Sequence, residues 1–132
     1  MEQRAAHADP DIILANEPRA YREVIAGTLR ALHPRLAIAV LEPTELLPRL
    51  RRARPALVIH SEADPAVALR VPASVLLYPG GLGHAVVDLV GQRIAVMDFA
   101  LDDLLALIGR LLPADADPGH DGAEGPPSAV PV

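Results

Sequence analysis

The stretch that most constrains this chain is Arg54–Asp64, RPALVIHSEAD. Ala56, Leu57, Val58 and Ile59 form an unbroken apolar run, set between Pro55 and a polar segment. A half-exposed strand would alternate; a continuous run ending in β-branched residues reads as a strand buried on both faces of a parallel sheet. Burial on both faces requires helices on both faces, which points to the α/β class. In open sheets of that class, ligands gather at the carboxyl ends of the strands. Here that end carries His60, Ser61 and Glu62.

The flanking segments alternate as such a sheet requires. Ile12–Ala15 is the first strand. Pro18 follows in the first turn of a helix, where its missing N–H costs nothing. Tyr21, Val24, Ile25, Thr28, Leu29 and Leu32 make one apolar stripe, and His33-Pro34 ends it. Leu36–Leu41 is the second strand. Thr44 is the expected N-cap of a helix running to about Arg54, with Leu46, Leu47, Leu50 and Ala53 inward and Pro48 in its first turn. The central strand comes next, and then a crossover of only about a dozen residues, near the minimum such a connection needs. Asp64-Pro65 caps a single turn there, Ala66–Arg70, before a fourth strand at Ser74–Tyr78.

Two readings compete for residues 85–97. A short helix would bury Val86, Leu89 and Val90. A β-hairpin would pair Ala85–Val90 with Arg93–Met97 around Gly91-Gln92. The Val and Ile content and the glycine at the turn favour the hairpin. Ala100–Leu112 is a helix, with Leu101, Leu104, Leu105, Ile108, Leu111 and Leu112 on one stripe. Asp102 and Asp103 sit in its first turn, where the macrodipole favours them. Residues 1–10 read as a flexible arm, 11–112 as one α/β domain, and the Pro/Gly/Ala/Asp-rich residues 113–132 as a disordered tail.

Composition excludes several functions. The net charge of −5 leaves no basic face for nucleic acid, and Arg49, Arg51, Arg52 and Arg54 read as one solvated helix. With no cysteine there is no disulfide framework and no thiol chemistry. No apolar run reaches membrane-spanning length and no leader-like segment opens the chain, so a cytoplasmic protein without membrane contact is expected.

Three stretches, IILANEPRAYREVI, RPALVIHSEAD and VMDFALDDLLALIGRLL, resemble the first strand and helix, the third strand with its phosphoacceptor loop, and the last strand and helix of response-regulator receiver domains. The resemblance implies a flavodoxin-like three-layer sandwich with a mostly parallel sheet. The third crossover is shortened, and a hairpin stands in place of the fourth helix. It also implies which groups the receiver reaction needs. The paired carboxylates that hold Mg²⁺ correspond to Ala15 and Asn16, and the phosphoryl-accepting aspartate to Ser61. The strand-four hydroxyl corresponds to Pro79 and the strand-five lysine to Met97. None is retained. A one-residue slip brings Asn16-Glu17 or His60 into the site but supplies no aspartate acceptor and no lysine.

Other signals are weak. Gly80-Gly81-Leu82-Gly83 lacks the spacing and the Lys-Ser/Thr pair of a phosphate loop. His60, Ser61, Glu62 and Asp64 include the residue types of a hydrolytic triad, but neighbours on a strand point to opposite faces. The expectation is therefore a protein-binding module, not an enzyme, with no metal and no cofactor. Its contact, to a protein partner or a second copy, is expected through the final helix and hairpin. The alternative is a small-molecule or cation sensor, less readily a weak hydrolase. It would use a strand-end crevice of Asn16, Glu17, Glu42, His60, Ser61 and Glu62.

Overall fold

A computed structural model describes residues 9–77 and 83–112. Over these residues the chain is α/β, with a six-stranded mixed sheet and four α-helices. The strands are β1 (Ile12–Ala15), β2 (Ile38–Val40), β3 (Leu57–His60), β4 (Ala73–Leu77), β5 (Ala85–Leu89) and β6 (Gln92–Val96). The helices are α1 (Arg19–Leu32), α2 (Leu46–Leu50), α3 (Pro65–Arg70) and α4 (Leu101–Leu111), with a 3-10 turn at Pro43–Glu45. The sheet order is β2-β1-β3-β4-β5-β6; the first four strands are parallel and the last two antiparallel.

The apolar runs lie where both faces of the sheet are covered. All four residues of β1 and all four of β3 are buried. One face carries Ile12, Leu14, Leu57 and Ile59 against Ile25 and Leu29 of α1 and Leu104 and Ile108 of α4. The other carries Ile13 and Val58 against Leu46 and Leu50 of α2 and Val67 of α3.

Several elements differ from the sequence reading. The second strand is trimmed to three half-buried residues, because among the described residues it is an edge strand that pairs with β1 alone. The expected helix from Thr44 to Arg54 is instead the 3-10 turn followed by five α-helical residues. Its cap is Glu42, not Thr44: the Glu42 N–H donates to Glu45 Oε1 at 2.9 Å. Pro18 is the N-cap of α1 rather than a residue of its first turn. That helix is also rotated from the expected stripe, so Val24 and Leu32 are exposed while Arg22, Ile25, Ala26 and Leu29 are buried. The arm is held from Asp9 onward, whose carboxylate accepts from the Arg54 N–H at 3.0 Å. The tail 113–132 and the glycines at 80 and 81 lie outside the described residues.

Residues 85–96 form the hairpin, with its loop one residue earlier than expected. Leu89 pairs with Gln92 across a two-residue turn of Val90 and Gly91, at φ 46° and 87°. Positive φ at both central residues is the type I′ turn that suits strand twist. A β-branched residue pays about 1–2 kcal/mol there. Val90 is exposed, so its side chain has little burial to lose. Val90→Asn is therefore expected to raise stability by about 1 kcal/mol, read as a higher melting temperature. The hairpin is pinned at its other end by Gly83 (φ +80°), whose carbonyl accepts from the Phe99 N–H. A Cβ on Gly83 would lie 3.3 Å from the Asp98 Cα.

Candidate functional site

The chain order reverses between β1 and β3, and their carboxyl ends lie side by side, with Ala15 paired to His60. This is the topological switch point where open α/β sheets place their sites. Ser61 is buried just past β3, and its Oγ accepts from the Glu17 N–H at 2.9 Å. His60 is buried beside it, with a different partner. Its Nδ1 lies 3.0 Å from the Glu62 carbonyl. A carbonyl only accepts, so Nδ1 carries the proton and Nε2 keeps its lone pair in the neutral ring. The two adjacent side chains thus make no base–nucleophile pair.

The six expected crevice residues do not surround one pocket. His60, Ser61 and Glu62 line a cleft of ≈ 40 Å³ floored by Ala15 and Val67, room for one or two waters. Asn16, Glu17 and Glu42 stand outside it. Asn16 is fully buried, and neither atom of its side-chain amide has a hydrogen-bond partner among the described residues. Glu42 faces the solvent and pairs with Arg22 Nη2 at 3.2 Å. Among the described residues, no three His, Asp or Glu side chains are grouped to hold a metal ion.

A larger groove, of ≈ 160 Å³, opens on the same face of the sheet, between α3 and the hairpin. The six-residue α3 is too short to cover β4, β5 and β6 there. Strand register sets its floor: Val58 pairs with Ser74, and Ser74 with Asp88, so Ser74, Asp88 and His60 share one face. Asp88 is opposite Arg93, with Nε to Oδ1 at 3.0 Å and Nη2 to Oδ2 at 3.3 Å. Ser74 is buried, and its Oγ has no hydrogen-bond partner among the described residues.

Sequence reasoning missed Arg22, Ser74, Asp88 and Arg93. The last two carry a readable signal: a lone aspartate inside a Val-rich strand, facing an arginine across a short turn. Centring the turn on Gly91-Gln92 sets Asp88 opposite Ala95 and hides the pair; centring it on Val90-Gly91 reveals it.

Burial holds the His60 pKa below its usual 6.5, against the opposing pull of the Glu62 carbonyl, Asp88 and Asp64. The unfolded chain therefore takes up a proton near its ordinary pKa that the folded chain refuses. The His60 contribution to stability is complete above about pH 6.5 and is lost as pH falls below it. Urea denaturation at about pH 7.5 and about pH 5.5 should show lower stability at the acid value, and His60→Gln should reduce the difference.

No protein-family model matches the chain, and no curated protein is similar to it. Among the described residues, no helix is long and apolar enough to cross a membrane.

Proposed function

We propose that this chain is a regulatory protein-binding module of the flavodoxin-like, receiver type that works without phosphorylation, as a binder and not a catalyst. The observation that carries the reading is the β6 edge. All but the last of its residues are exposed, and among the described residues only β5 pairs with it. Ile94 is 47% exposed, and Met97 and Val90 extend the apolar surface at either end. Exposed strand edges of this kind pair with another chain unless they are covered or charged. The type I′ turn closes on the hydrogen-bonded pair Leu89–Gln92. Alternation then directs the N–H and C=O groups of Arg93 and Ala95 outward. An antiparallel second copy centred on Ala95 sets Ile94 against Val96 of its partner, so the edge is self-complementary.

The receiver reaction also lacks its parts. Ser61 replaces the acceptor aspartate, and its hydroxyl is already bonded to the Glu17 N–H. Asn16 and Ala15 offer no carboxylate. Met97 replaces the lysine, and Pro79 lies outside the described residues.

Two measurements test the reading. Incubation with acetyl phosphate and Mg²⁺ should leave the intact mass unchanged; a phosphate adduct at Ser61 or nearby would overturn the phosphorylation-independent assignment. Sedimentation should show a concentration-dependent dimer that Ala95→Pro abolishes. Proline is tolerated there because the lost N–H faces outward. A chain that stays monomeric at every concentration excludes the second copy as the edge's occupant.

A further inference from the structure

The groove between α3 and the hairpin has a polar floor on which one buried hydroxyl is left without a partner among the described residues. That hydroxyl is Ser74 Oγ. Leaving a buried hydroxyl unpaired costs free energy, which a bound donor or acceptor recovers. His60 lines the same groove, and its Nε2 is an acceptor because Nδ1 donates to the Glu62 carbonyl. Asp88 supplies a third acceptor. Its side chain is 16% exposed and that of Arg93 64% exposed, so the carboxylate lies deeper than the guanidinium that pairs with it. Arg93 lines the groove with Asp88, and Asp64 adds a second carboxylate, so the lining sets two carboxylates against one guanidinium. The walls, including Leu76, Val86 and Ala68, are apolar. A space of ≈ 160 Å³ is close to that of a cavity that admits a six-membered carbon ring.

We propose that this groove binds a small primary ammonium, whose N–H groups donate to Ser74 Oγ, His60 Nε2 and the Asp88 carboxylate while its alkyl chain lies against Leu76 and Val86. The donor requirement follows from the acceptors on the floor, and the positive charge from the one negative charge left when the Asp64 and Asp88 carboxylates are set against the Arg93 guanidinium. The site does not depend on the protein-binding reading.

The test is a titration of the full chain with n-butylammonium, followed by amide shifts in ¹H–¹⁵N correlation spectra. n-Butanol and butyrate serve as neutral and anionic arms. Butylammonium should produce saturable shifts centred on Ser74 and Asp88, n-butanol should bind about tenfold more weakly, and butyrate should not saturate. Asp88→Asn should weaken butylammonium binding by about tenfold. Should that change disturb the hairpin, Ser74→Ala carries the test. It removes only the hydroxyl on a buried strand and should weaken binding by about threefold or more. Saturation by butyrate in preference to butylammonium would overturn the proposal. So would unchanged affinity in Ser74→Ala, or no saturation by any probe, which would leave the groove to water.

Discussion

Ile59→Ala is expected to cost about 2–5 kcal/mol of folding stability. Ile59 has no solvent exposure and pairs with Leu14 on one side and Val75 on the other, so it stands in the middle of the sheet. Its side chain belongs to the core built with α1 and α4, and truncation leaves a cavity that these packed elements cannot close. For a domain whose whole stability is about 5–15 kcal/mol, that loss is a large fraction. Ser61→Ala removes one acceptor from the Glu17 N–H and should cost about 1 kcal/mol. Urea denaturation of the two variants compares them directly. A harmless Ile59→Ala would contradict the central position of β3. A Ser61→Ala variant as damaging as Ile59→Ala would place Ser61 in a larger buried polar network.

The second large effect concerns Arg22, a guanidinium 2% exposed at the start of α1. It donates to the Asn16 carbonyl at 3.4 Å and to Glu42 at 3.2 Å, while its Nε has no hydrogen-bond partner among the described residues. Glu42 is 55% exposed, so water screens part of the pair. Glu42→Ala leaves the buried charge without its carboxylate, at an expected cost of about 1–3 kcal/mol. Arg22→Met in the same chain removes the charge and keeps most of the volume. The double variant should recover to within about 1 kcal/mol of the parent, since an apolar replacement of a buried pair is often neutral. A silent Glu42→Ala would show that solvent reaches the guanidinium. A double variant worse than the single would show that Arg22 acts by packing rather than by charge.

Much of the sheet is readable from local pattern alone. The unbroken runs of β1 and β3, the capped turn at Asp64 and the final leucine stripe each state their element within a dozen residues, because burial on two faces or on one helical stripe imposes its own periodicity. The hairpin is readable in kind, from its valines and its glycine. Its register is not, because Val90 takes a positive φ that its residue type disfavours. A shift of one residue in that turn re-pairs every side chain on both strands and decides whether Asp88 faces Arg93.

What only the tertiary structure decided is which polar atoms lose their water. Arg22 is buried because α1 is rotated toward the ends of β1 and β2, and no periodicity in the helix announces it. The strand-end residues His60 and Ser61 line one small cleft, and each is held by a different backbone group, the Glu62 carbonyl and the Glu17 N–H. Ser74 and Asp88 are far apart in sequence and become neighbours through strand register. Their groove exists because α3 is too short to roof the last three strands. Hydrophobic pattern is a local property of the chain, whereas the coverage of a given polar group is set by the length and placement of every element around it.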